Sequence, residues 1–154
     1  DMVNVKINGR DYEVPKNSTV LEAARYAGVE IPTLCYLKDI NEIGACRLCL
    51  VEVTGARGLV TSCVYPVNEG MEKDKHPEGS RLELVLSNHE KKCLSCVRST
   101  NCELQKLANE YGCEEGHFEG ASVHYEKDES TAFLVRDNDK CILCRRCVAA
   151  CKNM

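Results

Sequence analysis

The chain has 154 residues, of which 5% are aromatic and none is tryptophan, so a large conventional hydrophobic core is not expected. The net charge of -4 comes without a basic tract, which argues against nucleic acid as a partner. No apolar run is long enough to cross a membrane, and the first residues lack the pattern of a secretory signal. These features predict a cytoplasmic protein with no membrane span.

Twelve cysteines are the most unusual feature of the composition. A reducing cytoplasm keeps thiols from forming disulfides, so this many cysteines indicate metal binding or catalysis. The spacing of the cysteines, and the elements that carry them, decide between the two.

The N-terminal residues predict a hairpin followed by a helix. Apolar and polar residues alternate on both sides of the turn dipeptide Asn8-Gly9, which is typical of a β-hairpin. The spacing of Thr19 and Glu22 is that of a capping box, and it predicts a helix that ends at Gly28.

The next stretch predicts a second hairpin and then a linker. Residues 50–53 and 59–62 are short β-favouring runs separated by a glycine-containing loop. With the first hairpin and the helix, they predict a small α+β unit of the β-grasp type. Residues 72–80 are almost free of apolar side chains, so we expect a linker and a domain boundary there.

The remaining stretch predicts a helix and one short strand. Apolar residues recur at helical spacing between Leu104 and Tyr111, with Asn101 as candidate cap and Gly112 as stop. Residues 133–135 are consecutive apolar residues before a polar turn, and they predict a strand.

The first group of cysteines falls on the connections of the predicted β-grasp unit. A 2Fe-2S cluster needs four thiolates, and Gly44 allows the backbone to approach such a cluster. The spacing therefore predicts a 2Fe-2S site, with a zinc knuckle or buried free thiols as the alternatives. Its candidate ligands are Cys35, Cys46, Cys49 and Cys63.

The second group combines one imidazole with three thiolates just before the predicted helix. Zinc accepts this ligand set as readily as a cluster does, so the residues alone leave both metals open. The candidate ligands are His89, Cys93, Cys96 and Cys102.

The third group has the C-x-x-C-x-x-C-x-x-x-C spacing of bacterial ferredoxins: Cys141, Cys144, Cys147 and Cys151. In that pattern the first three thiolates bind one 4Fe-4S cluster and the fourth ligates another. We expect the fourth ligand of the first cluster to come from outside these residues. Cys113 fits none of the three groups, and we assign it no role.

The order of these groups, with the strings at residues 31–36 and 44–53, resembles the N-terminal electron-relay region of the iron-iron hydrogenases. The same modules occur in the large iron-sulfur subunit of complex I and in NAD-linked formate dehydrogenases. The resemblance favours iron over zinc at the second group, with His89 and its three cysteines as ligands of a 4Fe-4S cluster. It also implies an α+β architecture in four parts: a β-grasp 2Fe-2S ferredoxin-like domain (1–76), a small helical 4Fe-4S domain (77–118), a connecting segment (119–137) and a truncated bacterial-ferredoxin-like segment (138–154).

The resemblance further implies a relay that passes single electrons between a flavin or ferredoxin partner and a catalytic centre outside these residues. The implied partners are a flavin- and NAD(P)-binding iron-sulfur subunit and other subunits of a hetero-oligomer, with soluble ferredoxin as a further candidate. An NAD(P)-linked hydrogenase, electron-bifurcating types included, is the first hypothesis, and formate dehydrogenase or a complex I-like enzyme is the second. We predict no catalytic residue. A zinc-stapled interaction module and a redox sensor are hypotheses of other classes.

Overall fold

The computed structural model describes residues 1–73, 80–113, 118 and 120–153. It contains two compact units, an N-terminal unit made of residues 1–77 with 145–154, and a second unit made of residues 78–144. Among the described residues, every helix is too short or too polar to cross a bilayer.

The elements fall in the following chain order. The N-terminal unit has β1 (Met2–Ile7), β2 (Arg10–Pro15), α1 (Val20–Tyr26), β3 (Leu50–Val51), β4 (Val60–Thr61) and β5 (Met71–Lys73). The second unit has α2 (Ser80–Ser87), a 3-10 helix (Cys93–Ser95), α3 (Glu103–Glu110) and a second 3-10 helix (Asn138–Lys140). The last helix, α4 (Arg146–Asn153), groups with the N-terminal unit.

The predicted first hairpin is confirmed. Strands β1 and β2 pair antiparallel with Val5 opposite Tyr12. Asn8 and Gly9 form the turn with φ of 51° and 78°, the left-handed conformation that a two-residue hairpin turn requires. The inward side chains of both strands, among them Val5, join the main hydrophobic core of the unit.

Helix α1 begins at the predicted capping box. The Thr19 hydroxyl accepts from the Glu22 N–H at 3.3 Å, and the Glu22 carboxylate accepts from the Thr19 N–H at 3.0 Å. The buried face of the helix, which includes Leu21, joins the core formed by the sheet. Gly28 follows the helix with φ of 75°, as expected of a residue that ends a helix.

The linker prediction is wrong at its first two residues and at its last, since Ser80 begins α2. Glu72 and Lys73 belong to β5, which pairs parallel to β1 and completes a sheet of order β2-β1-β5. The Lys73 carbonyl accepts from the Asn8 N–H at 2.9 Å, and Lys73 as a whole is 4% exposed. A polar sequence here forms a strand because β1 offers it an open edge. Residues 74–79 of the predicted linker lie outside the described residues.

The second hairpin is confirmed in a shorter form. Strands β3 and β4 pair antiparallel, with Leu50 opposite Thr61. Val53 makes an isolated bridge to Lys73, so the end of the predicted strand pairs with β5. The short hairpin is what places Cys49 immediately before β3 and Cys63 two residues beyond β4.

In the second unit, α2 and α3 contact each other, with Leu82 and Leu104 buried. The residue that caps α3 is Cys102, with no side-chain hydrogen bond, so the predicted cap at Asn101 is wrong by one position. Gly112 follows the helix with φ of 59°, which confirms the predicted stop.

The predicted strand at residues 133–135 does not form. One isolated bridge between Asp128 and Arg136 closes this loop, and the Thr131 hydroxyl both donates to the Leu134 carbonyl and accepts from its N–H. A side chain that bonds its own backbone competes with strand formation. Phe133 is fully exposed, so no partner strand covers this segment within the described residues.

Candidate metal centres

The four thiols of the first group come together inside the N-terminal unit. Cys35, Cys49 and Cys63 have no exposed surface, and Cys46 is half-buried. The Cys46 N–H donates to the Cys35 sulfur at 3.4 Å. Thiol hydrogen bonds join Cys35 to Cys46 and to Cys63, and join Cys63 to Cys49. The structure therefore assembles the complete predicted set.

Hydrogen bonding divides these thiols into donors and acceptors. The bond from the Cys46 thiol, and then that from Cys63, holds the pKa of Cys35 at about 2. The bond from the Cys63 thiol lowers the pKa of Cys49 to about 6. The pKa values of Cys46 and Cys63 are raised because both bond to Cys35 in their protonated form. Since the thiolate is the form that binds metal, the site favours it at two of four positions.

The loop that carries Cys35 is fixed by a buried amide. Asn41 is 2% exposed, and its Nδ2 donates to the Cys35 carbonyl at 2.7 Å. The Asn41 N–H and carbonyl both bond to Leu37, which closes a tight turn. The sequence offered no sign of this role, because Asn in a loop is usually exposed.

The loop that carries Cys46 and Cys49 approaches β4 closely. Gly44 has φ of 60°, and a Cβ built on it lies 2.8 Å from the Thr61 Cγ2 atom. Arg47 is also left-handed, with φ of 57°, and its guanidinium donates to the Thr61 hydroxyl at 2.7 Å. Gly44 thus allows a close approach to Thr61, which lies near Cys63 in the chain, and the approach of its backbone to a cluster stays a prediction.

Helix α1 holds the third segment of this site. Its first free N–H groups, those of Val20 and Leu21, donate to the carbonyls of Tyr65 and Ser62 at 2.8 and 2.9 Å. These carbonyls flank Cys63, so the open end of the helix fixes the loop that carries this cysteine.

The second group lines a single cavity of about 260 Å³ within the second unit. A lone zinc ion lies about 2.0–2.3 Å from its ligands and needs no such cavity. In the described part of the chain, no three His, Cys, Asp or Glu side chains converge as they do around one bound ion. The four predicted ligands face this cavity together: His89, Cys93, Cys96 and Cys102.

His89 has the properties of a metal-binding imidazole. Its Nδ1 is buried and has no hydrogen-bond partner among the described residues. Burial, followed by the nearby Lys140 ammonium, lowers the pKa of the imidazole, which favours the neutral form that binds metals. The neighbouring Glu90 N–H donates to the Asp139 carbonyl at 2.9 Å, which ties the start of this loop to the second 3-10 helix.

The loop between Cys93 and Cys102 is far more exposed than the first site. Its 3-10 helix is closed by the bond from the Cys96 N–H to the Cys93 carbonyl at 3.2 Å. Leu94 and Val97 are fully exposed. Cys113 also lines the cavity, and burial raises the pKa of its thiol. Sequence reasoning did not place Cys113 here, because it lies beyond α3 and outside the spacing pattern.

The third group is divided between the two units. Cys141 and Cys144 belong to the second unit, whereas Cys147 and Cys151 lie on α4 in the N-terminal unit. Cys147 and Cys151 are four residues apart, so they lie on one face of α4. Arg146 Nη2 donates to the Tyr36 carbonyl at 3.2 Å, and Asn153 Nδ2 donates to the Ile40 carbonyl at 3.0 Å. These two bonds attach α4 to the loop that follows Cys35.

Comparison with known proteins assigns these regions to iron-sulfur chemistry. Residues 1–76 match the model of a 2Fe-2S iron-sulfur cluster binding domain. Residues 80–117 match the NADH-ubiquinone oxidoreductase-G iron-sulfur binding region, and the two matches together cover most of the chain. The chain therefore contains a 2Fe-2S cluster binding domain followed by a 4Fe-4S binding region. The predicted fold class and the predicted 2Fe-2S and 4Fe-4S cofactors are thereby confirmed.

Two curated relatives and one solved structure show the same resemblance. The chain is 42% identical over 165 residues to the NADP-reducing hydrogenase subunit HndD of Solidesulfovibrio fructosivorans, covering 99% of the chain and 28% of that protein. It is 38% identical over 155 residues to the NADH-ubiquinone oxidoreductase 75 kDa subunit of Reclinomonas americana, covering 96% of the chain and 22% of that protein. The chain thus spans less than a third of either relative.

The structural relative is an NAD+-reducing NiFe hydrogenase, crystallised in the H2-reduced state. It matches with a TM-score of 0.86 and 32% identity, over 96% of this chain and 65% of that chain. The predicted resemblance to hydrogenase and complex I iron-sulfur subunits is confirmed. The individual ligands and the four domain boundaries stay predictions.

Proposed function

We propose that this chain is the electron-transfer relay of a multisubunit NAD(P)-linked hydrogenase. It passes single electrons between a flavin or ferredoxin partner and a catalytic centre that lies outside these residues. The observation that carries this proposal is the assembly of two separate sulfur-rich sites, one in each unit, of different ligand chemistry. Two clusters in one chain serve a protein that moves electrons rather than one that transforms a substrate.

At the first site, the four cysteines hold a 2Fe-2S cluster. Each iron of such a cluster takes two of the four thiolates. The burial of the four thiols together inside the N-terminal unit, with the Cys46 N–H donating to the Cys35 sulfur, supports this assignment. When bound, the cluster supplies one-electron redox chemistry, and the protein supplies the buried thiolates that hold it.

At the second site, His89, Cys93, Cys96 and Cys102 hold a 4Fe-4S cluster. The size of the shared cavity and the buried Nδ1 of His89 support this assignment. At the third site, Cys141, Cys144 and Cys147 bind a further 4Fe-4S cluster with one ligand from elsewhere, and Cys151 ligates another. Their spacing supports this part of the proposal.

The proposed partners follow from the relatives. An NADP-reducing hydrogenase subunit and an NAD+-reducing hydrogenase are both similar over nearly the whole chain. We therefore infer a cytoplasmic hetero-oligomer with a flavin- and NAD(P)-binding iron-sulfur subunit, and with soluble ferredoxin as a further electron partner. The same relay in a complex I-like enzyme is the second candidate, which the NADH-ubiquinone oxidoreductase relative favours. An NAD-linked formate dehydrogenase, which the sequence also resembles, is part of this second candidate.

Metal and sulfide analysis tests the proposal. The protein is purified under anaerobic conditions, and iron, zinc and acid-labile sulfide are measured with the visible absorption before and after dithionite. We expect about six iron atoms with matching sulfide, or about ten if the third site also fills, and bleaching on reduction. Stoichiometric zinc with no colour, persisting under iron-replete expression, would contradict the proposal and leave a structural module.

A further inference from the structure

A buried hydroxyl lies within the first cysteine site. Ser62 has no exposed surface, and its Oγ has no partner of full hydrogen-bond geometry among the described residues. Such a group costs free energy unless something satisfies it. The antiparallel pairing of Leu50 with Thr61 continues to Cys49 and Ser62, so the side chains of Cys49 and Ser62 are cross-strand neighbours on one face of the hairpin.

The backbone of Ser62 is fixed without help from its side chain. The Ser62 N–H donates to the Cys49 carbonyl at 3.0 Å, and the Ser62 carbonyl accepts from the Leu21 N–H at 2.9 Å. The hydroxyl is therefore not required to hold this segment in place. The neighbouring hydroxyl of Thr61 differs in this respect, because it accepts from the Arg47 guanidinium at 2.7 Å.

We propose that Ser62 is a positioning residue whose hydroxyl donates a hydrogen bond to the Cys49 thiolate of the 2Fe-2S cluster and thereby raises the reduction potential of that cluster. The inference rests on the proposed role of Cys49 as a ligand. A thiolate is a stronger acceptor than the neutral thiol, so metal binding completes the bond that the orphaned hydroxyl lacks. Hydrogen bonds to cluster sulfurs are among the factors that set the potential.

The direction of the effect follows from charge. A reduced cluster carries one more electron, part of which resides on the sulfur ligands. A donor beside Cys49 therefore stabilises the reduced cluster more than the oxidised cluster, and removal of the donor lowers the potential. Ser62 is not itself a proposed ligand, so we expect its effect to be on the potential of the cluster.

The test is a redox titration of the anaerobically purified, iron-loaded protein, followed by the electron paramagnetic resonance signal of the 2Fe-2S cluster. For Ser62→Ala we expect the one-electron equilibrium to move about tenfold toward the oxidised cluster, which is a 59 mV lower potential. Ser18→Ala is the matched control, since the Ser18 hydroxyl bonds the Pro15 carbonyl at 2.6 Å in the same unit. A potential for Ser62→Ala equal to that of Ser18→Ala, or above it, overturns the inference.

A second pair of variants covers the case in which Ser62→Ala does not hold its cluster. Threonine and valine have the same shape, and only threonine carries the hydroxyl. We expect Ser62→Thr to have a higher potential than Ser62→Val, and equal potentials overturn the inference. If the wild-type protein loads no iron, the proposed function fails and this inference fails with it. If it loads a 2Fe-2S cluster whose potential is insensitive to Ser62, only this inference fails.

Discussion

The two cluster sites are built in opposite ways. At the first site, three of the four thiols are fully buried, and Asn41, Gly44 and α1 fix the three segments that carry them. At the second site, the cysteines line an open cavity, and Leu94 and Val97 beside them are fully exposed. The first site is thus ordered by the fold of its unit, whereas the loop of the second site is largely exposed, and we expect a bound cluster to order it.

The largest expected effect is the loss of one cluster by removal of a ligand. Cys35→Ala removes the thiol that bonds both Cys46 and Cys63, so we expect about two iron atoms per chain to be lost while the 4Fe-4S signal remains. Iron analysis and electron paramagnetic resonance measure both. Ser18→Ala is the control, since the Ser18 hydroxyl bonds the Pro15 carbonyl and no cysteine, and we expect it to keep full iron content. Loss of both signals from Cys35→Ala would show that the two sites do not form independently.

The second prediction concerns the imidazole ligand. His89→Cys replaces a neutral ligand with a thiolate, and the added negative charge lowers the potential of the 4Fe-4S cluster. We expect the one-electron equilibrium to move at least about tenfold toward the oxidised 4Fe-4S cluster, which is a potential 59 mV lower. A redox titration of the 4Fe-4S signal measures the shift, and the 2Fe-2S potential in the same sample is the internal control. An unchanged or higher potential contradicts the assignment of His89 as a ligand.

The third prediction tests how rigid the first site is. Gly44→Ala introduces left-handed strain of about 1–2 kcal/mol and a clash with Thr61 that adds about 1–3 kcal/mol. Gly55→Ala is the matched control, since Gly55 has φ of 86° with no atom within 4 Å of the added Cβ. Denaturant unfolding of both variants isolates the clash. Equal losses of stability in Gly44→Ala and Gly55→Ala would mean that the loop around Gly44 shifts to accept the added methyl group at little cost.

The smallest expected effect is on the free energy of unfolding at acid pH, through Glu22 in the capping box of α1. The backbone bond from Thr19 is the main cause that lowers the pKa of Glu22 below its usual 4.5. The stabilisation is therefore fully present above about pH 4.5 and is lost as the pH falls through the lower pKa of the folded state. Glu22→Gln should flatten the acid limb of the unfolding profile, with Glu129→Gln as an exposed control. If the pH profiles of Glu22→Gln and the wild-type protein superimpose, Glu22 does not supply this stabilisation.

Elements that depend on neighbouring residues were predicted correctly, whereas an element that depends on pairing with a distant strand was not. The hairpin at Asn8-Gly9 and the capping box of Thr19 and Glu22 depend on neighbours in the chain, so the sequence was sufficient for both. Strand β5 was missed because a polar segment pairs with β1 across the whole unit. The strand at residues 133–135 was predicted in error, because composition does not show whether a partner strand exists.

The candidate sites follow the same division. Spacing alone was enough to group the cysteines into sets, and the structure assembles the first two. The supporting groups could not be predicted, because the hydrogen bond from Asn41 and the proposed role of Ser62 depend on segments that meet only in the folded chain. Neither residue type carries a signal for burial beside a thiol.

A potentiometric titration of the anaerobically purified protein, followed by visible absorption and electron paramagnetic resonance, tests the central claim most directly. We expect a 2Fe-2S signal and a separate 4Fe-4S signal, each appearing in a one-electron step, with only the 4Fe-4S step moved by His89→Cys. A colourless protein with zinc and no signal, or a single signal lost equally from Cys35→Ala and Cys93→Ala, would contradict it.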